Sequence, residues 1–170
     1  MQLKNSVTFL LDKKSVKPVF ELKVNDKSIT CLHDSGASIS AWVANRHLFE
    51  DVFSNAKELR ETCQLHGFGG EGGLGLPAFE IPIFKLGPVT FTRMVVIADY
   101  DRKFNCDLVL GANLFKYAKV VIDRLNFNDL NRPPNITYQF DRSIYNIKTY
   151  KSEGIITQSA ILNQEMCKKL

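Results

Sequence analysis

Short alternations of apolar and polar residues, cut repeatedly by turn chemistry, constrain this chain more than any other feature. Phe20, Leu22 and Val24 alternate with Glu21 and Lys23, and Asn25-Asp26-Lys27 supplies a turn before Ser28-Ile29-Thr30-Cys31-Leu32. That is the pattern of a hairpin inside a strand-like stretch from Ser6 to His33. The same signature recurs where Phe79, Ile81 and Ile83 alternate, Gly87-Pro88 turns, and Val89 to Ala98 continues as a strand. Thr62 to His66, Leu108 to Leu110, Lys119 to Ile122, Ile136 to Phe140 and Ile144 to Tyr150 read as further strands, with Asn131-Arg132-Pro133-Pro134 a loop. Between them Leu48, Phe49, Val52, Phe53, Ala56 and Leu59 recur at helical spacing, predicting an amphipathic helix from Asn45 to Arg60 with Asn45 as its N-cap. A short helical piece from Ala112 to Tyr117 and a terminal helix from Gln158 to Lys168 complete the expectation. The fold class is all-β with two or three helices, in a closed or nearly closed barrel.

A chain of 170 residues predicts one domain. Its 45% apolar and 24% charged residues, with 22 basic against 18 acidic side chains, exclude intrinsic disorder and low complexity. The longest central apolar run, Met94 to Ala98, is far short of the roughly 20 residues of a membrane-spanning helix. The net charge of +4 comes from isolated pairs such as Lys13-Lys14 and Lys168-Lys169, without a basic stripe, so no nucleic-acid partner is expected. Asp12, Lys13 and Lys14 interrupt the N-terminus before a signal-peptide hydrophobic region forms, which predicts a cytoplasmic protein. Cys31, Cys63, Cys106 and Cys167 are then reduced thiols, and the sequon Asn135-Ile136-Thr137 is silent.

Three groups of residues could carry chemistry. Asp34-Ser35-Gly36 places a carboxylate where a buried strand meets a tight turn rich in backbone N–H donors, although the same tripeptide suits any surface turn. Gly67-x-Gly69-x-x-Gly72 satisfies the dinucleotide fingerprint formally, but Pro77 and the Phe79-Ile81-Ile83 strand follow where a helix is required. A hairpin closing over an extended substrate fits better, with a passive flexible loop as the plain alternative. Cys31 with His33 and Cys63 with His66 could be imagined as zinc ligands, but residues three apart do not share a strand face, so buried thiols and ordinary histidines are expected and no metal.

Taken together, Asp34-Ser35-Gly36-Ala37-Ser38, the glycine hairpin, and Asp107-Leu108-Val109-Leu110-Gly111-Ala112-Asn113-Leu114-Phe115 resemble the retropepsin-like aspartic protease family. The resemblance runs from about Val16 to Phe127, and the strand and turn from Val120 to Phe127 continue it. It implies that Asp34 is catalytic, that Ser35 and Gly36 support the dyad, and that Gly36, Ala37 and Ser38 bind the substrate backbone. It also makes Gly69, Gly70, Glu71 and Gly72 the tip of a substrate-covering flap, and places the segment after Asp107 beneath the active-site loop. The family's fold would make residues 16 to 127 the core of a single domain, with 128 to 170 a C-terminal extension and a candidate for the dimer interface.

Peptide hydrolysis without metal, cofactor or covalent intermediate needs one carboxylate to take a proton from water and a second, protonated one to donate to the scissile carbonyl. Two carboxylates about 3 Å apart repel by about 5 kcal/mol at an effective dielectric near 20, about four pKa units, so the pair retains one proton. The chain has a single Asp-Ser-Gly and no Asp-Thr-Gly. The partner is therefore Asp34 of a second copy, and the reading is a homodimeric aspartic endopeptidase acting on extended polypeptides. The alternative is a catalytically inactive dimerisation or peptide-binding module on the same fold. Two positions depart from the family pattern, which is apolar at both. His33 precedes the aspartate, either facing away from it or adding charge beside it, and Glu71 stands at the flap tip, where like charges would repel across a dimer.

Overall fold

The computed structural model describes residues 5–36, 41–43, 47–63, 76–98, 106–116, 118–124, 133–152 and 155–162. The chain opens with β1 (Ser6–Leu10), then forms the expected hairpin from β2 (Val19–Val24) and β3 (Lys27–Asp34). Asn25 and Asp26 join these strands with φ of 50° and 65°, the doubly left-handed turn that matches the twist of a two-residue hairpin. After β3 come β4 (Ala41–Val43), the one-turn helix α1 (His47–Asp51) and β5 (Lys57–Cys63). The long hairpin of β6 (Leu76–Leu86) and β7 (Val89–Ala98) turns at Gly87, whose φ is 58°. Then follow β8 (Leu108–Gly111), α2 (Ala112–Phe115), β9 (Ala118–Asp123), β10 (Asn135–Phe140), β11 (Ile144–Ser152) and β12 (Ile155–Leu162).

The class is all-β, as the alternations predict, in two sheets. A three-stranded antiparallel sheet has the order β1-β10-β9, and a nine-stranded sheet runs β12-β11-β7-β4-β8-β3-β2, with β6 beside β7 and β5 beyond β6. β6 pairs antiparallel with nearly all of β7. The other edge of β7 is divided between β11, parallel at Thr90 to Thr92, and β4, parallel at Val96 to Ala98. Arg93 lies at this change of partner with φ of 59°, a left-handed residue of the kind that bends a strand. The described strands therefore branch at β7 and end separately at β2, β5 and β12, so of the closed or nearly closed barrel expected from the sequence the closed form is not present among them.

Two helix expectations are corrected as well. α1 stops at Asp51 instead of reaching Arg60. Val52 and Phe53 N–H groups both turn back to the Leu48 carbonyl, and Asn25 Nδ2, from the β2–β3 turn, donates to the Val52 carbonyl at 2.7 Å. That carbonyl is lost to the helix, and the chain leaves to pair β5 with β6. Leu59 thereby packs on Ala78 and Val95, so its apolar side chain serves a strand. Ile155 to Leu162 is likewise a strand, paired with β11 from Tyr145↔Leu162 to Ser152↔Ile155, where a helix from Gln158 is expected. Residues 163–168 of that expectation lie outside the described ones.

The core draws on both sheets. Phe9, Phe20, Tyr138, Phe115, Phe140, Phe91, Tyr145 and Phe84 form a connected series of ring contacts. Phe91 and Tyr138 are fully buried. Burial of such rings supplies the largest apolar areas per residue and fixes how the sheets face each other. β10 and β11 contribute Ile136, Tyr138, Phe140 and Tyr145 to it. Among the described residues no helix is long and apolar enough to cross a membrane.

Candidate active site

Asp34 is the last residue of β3, and two features of the sheet fix where it ends up. β3 pairs in parallel with β8, with registers Cys31↔Leu108, Leu32↔Val109, His33↔Leu110 and Asp34↔Gly111. On its other edge β8 pairs antiparallel with β4, from Ala41↔Leu110 to Val43↔Leu108. The chain thus enters the Asp34 loop on β3 and leaves it on β4, and β8, which comes much later in sequence, lies between the two. All four residues of β8 are buried, and with both edges paired it is a fully hydrogen-bonded floor under the loop.

A second device locks β8 in place. Asp107 Oδ2 accepts from the Thr30 N–H at 2.9 Å and from Thr30 Oγ1 at 2.8 Å. In return the Asp107 N–H lies 2.9 Å from the Thr30 carbonyl and 3.0 Å from Thr30 Oγ1. This reciprocal clasp sits just before the parallel register starts, four residues from Asp34 on β3. Sequence reasoning did not single out Thr30, because nothing local couples residues 77 apart.

The Asp34 side chain is half-buried, and Ser35 and Gly36 are exposed. Asp34 Oδ1 accepts the Gly36 N–H at 2.9 Å, an Asx-type turn that aims the carboxylate back over its own loop. A Cβ on Gly36 would lie 3.3 Å from that same oxygen, so a glycine leaves the carboxylate room that a side chain would crowd. Ala37, Ser38, Gly69, Gly70, Glu71 and Gly72 lie outside the described residues, as does the whole glycine stretch from Gly67 to Gly75.

His33 takes the first of the two orientations open to it. It alternates away from Asp34, shares the inward face of β3 with Cys31, and is 9% exposed. Its ring centre lies 4.8 Å from that of Phe115 on α2 and 5.7 Å from that of Tyr138 on β10. Nδ1 is hydrogen-bonded to Tyr138 Oη at 3.2 Å. Burial lowers the His33 pKa from its ordinary value and the neighbouring Asp34 carboxylate opposes that, so the imidazole is neutral at neutral pH.

Cys31 and Cys106 are thiols. Burial, reinforced by Cys106 and Asp107, pushes Cys31 well above the ordinary thiol value, and burial beside Asp107 raises Cys106 to about 11. Cys31 and Cys106 are both free, and among the described residues no three metal-ligating side chains cluster. Cys63 and His66 fall where no side chain is described. A cleft of about 450 Å³ between α1 and the β5–β6 pair is lined by Phe49, Phe53 and Phe79 with Glu50 and Glu58, and Asp34 takes no part in it.

No family model matches the chain, and no curated protein matches its sequence. Among solved structures it is similar to a retropepsin-like aspartic protease from Rickettsia conorii, at 12% identity over 92% of this chain and 93% of that one, with a TM-score of 0.49.

Proposed function

We propose that the chain is one subunit of a homodimeric aspartic endopeptidase of retropepsin-like fold. The observation that carries this reading is the placement of Asp34. A lone Asp-Ser-Gly loop ends strand β3 on a floor formed by β8, with its carboxylate oriented by the Gly36 N–H. In the dimer, Asp34 from each subunit meets at the two-fold axis. One carboxylate takes a proton from water, and the other, protonated, donates to the scissile carbonyl as the tetrahedral centre forms. Ser35 and Gly36 support the pair. Gly36, Ala37 and Ser38, with the Gly69 to Gly72 tip, hold an extended polypeptide by strand-like backbone hydrogen bonds.

The test is cleavage of a mixed peptide library by the purified protein, read by mass spectrometry, with Asp34→Asn as the control. Asparagine keeps the acceptor for the Gly36 N–H but cannot hold or take the proton, so turnover falls by at least about a thousandfold. Specific activity also falls on dilution below the dimer dissociation constant. Peptide binding without turnover in the wild type assigns the chain to the inactive module instead.

A further inference from the structure

Among the described residues His33 is the one buried polar side chain, and it immediately precedes Asp34. A buried imidazole without partners would be costly, and this one is partnered across elements. His33 belongs to β3, Phe115 to α2, directly after the Gly111 that registers with Asp34, and Tyr138 to the middle strand of the other sheet. Phe115 and Tyr138 stack at 4.6 Å, and the imidazole packs on both. The Tyr138 Oη to Nδ1 contact of 3.2 Å is a side-chain hydrogen bond from the strand carrying Asp34 to the three-stranded sheet.

We infer that His33 is a positioning residue for Asp34: its imidazole ties the end of β3 to Tyr138 of the second sheet, and protonation of that imidazole strains the tie by reversing its donor and placing a cation in a buried aromatic site. The inference rests on the peptidase reading for its catalytic consequence, but the tie itself is independent of it. Burial and the nearby Cys31 push the Tyr138 pKa up, so its hydroxyl is a standing donor. In the Nε2–H tautomer of the neutral imidazole Nδ1 accepts from that hydroxyl. In the imidazolium Nδ1 carries its own N–H, the phenol must turn to accept, and a cation sits among aromatic rings in a buried site. The titratable groups around the ring are Asp34 and Cys31 on its own strand and Tyr138 on β10, while α2 faces it with Phe115 and β8 registers with it through Leu110. Loss of the neutral form relaxes the residue next to Asp34, and the acid side of the activity profile follows His33.

The Gly36 amide reports the placement directly, because its N–H is bonded to Asp34 Oδ1. A pH titration by NMR of the full chain reads the Gly36 amide and the His33 ring resonances together, alongside kcat and KM on the peptide library. In the wild type, Gly36 shows an inflection at the His33 titration, below the ordinary 6.5, and kcat falls on the acid side at the same pH. His33→Leu removes that inflection and that limb. Tyr138→Phe, which keeps the aromatic packing, moves the His33 titration up towards its ordinary value and lowers kcat about three- to tenfold with KM unchanged. A Gly36 resonance indifferent to His33, or an acid limb unchanged by either variant, overturns the inference. Should Gly36 follow His33 while no peptide is cut at any pH, the tie stands and the peptidase reading falls. Should Asp34-dependent cleavage occur while Gly36 ignores His33, the tie falls and the peptidase reading stands.

Discussion

The clasp between Thr30 and Asp107 is where stability and site geometry meet, and removing it has a calculable consequence. Asp107→Ala deletes an ionised acceptor that serves two donors, the Thr30 N–H at 2.9 Å and Thr30 Oγ1 at 2.8 Å. Hydrogen bonds to charged groups contribute about 1.5–3 kcal/mol each, and a donor left unsatisfied adds its desolvation. Because both residues are only half-buried, water replaces part of the loss, and the expected destabilisation is about 3 kcal/mol. With a urea m-value of about 2 kcal/mol/M this moves the unfolding midpoint down by about 1.5 M. Asp107→Asn retains a carbonyl acceptor and loses about 1 kcal/mol. Thr30→Val removes the hydroxyl but not the backbone donor, and combined with Asp107→Ala it gives a coupling of about 1 kcal/mol or more in a double-mutant cycle. The assay is urea unfolding of the five proteins by fluorescence of Trp42 and by circular dichroism. Equal midpoints for Asp107→Ala, Asp107→Asn and wild type, or zero coupling, would refute the claim that this clasp holds β8 against β3.

Much of the fold was legible in local chemistry. The Asn25-Asp26 and Gly87 turns adopt the positive φ that their residue types favour, and the strands they join fall close to where the alternation begins and ends. Legibility failed where a distant partner outweighed a local pattern. Ala56 and Leu59 match a helical period, yet a hydrogen bond from Asn25 to the Val52 carbonyl and pairing with β6 end the helix after one turn. From Gln158 onward nothing periodic opposes a helix, but Tyr145 to Ser152 offers an antiparallel edge, and the β-branched Ile155, Ile156 and Thr157 fit it. At the site, Asp34-Ser35-Gly36 could be identified from the sequence, and so could the Leu108 to Gly111 segment that lies beneath it. The orientation of His33 was also within reach of the sequence, since strand parity puts it on the face of buried Cys31 and opposite Asp34. Tyr138 and Thr30 were not, because their roles depend on residues 105 and 77 positions away.

Two more outcomes follow from buried contacts. Gly87→Ala places a Cβ 2.7 Å from Val7 Cβ at a φ of 58°, combining left-handed strain with overpacking, and lowers stability by about 2–4 kcal/mol in thermal or urea unfolding; an unchanged transition would show that β1 does not press on this turn. Cys106 gives the chain a defined alkaline weakness. Its thiol is pushed up to about 11 by burial first and by Asp107 second, with Lys17 opposing. A group whose folded pKa is raised binds its proton more tightly in the folded state, so its contribution is intact below about 9, the value of an ordinary thiol. As pH rises from 9 to 11 the unfolded thiol ionises while the folded one does not, and stability is lost across that window. Tyr138 and Tyr145, also raised by burial, act with the same sign at higher pH, so the wild type alone cannot isolate the thiol. The informative quantity is the difference between wild type and Cys106→Ala in urea unfolding. That difference is constant up to about pH 9 and then shifts in favour of the alanine variant by at most about 3 kcal/mol by pH 11. A difference that stays flat across the window would mean that Cys106 meets solvent as freely folded as unfolded, and the burial assigned to the start of β8 would be wrong.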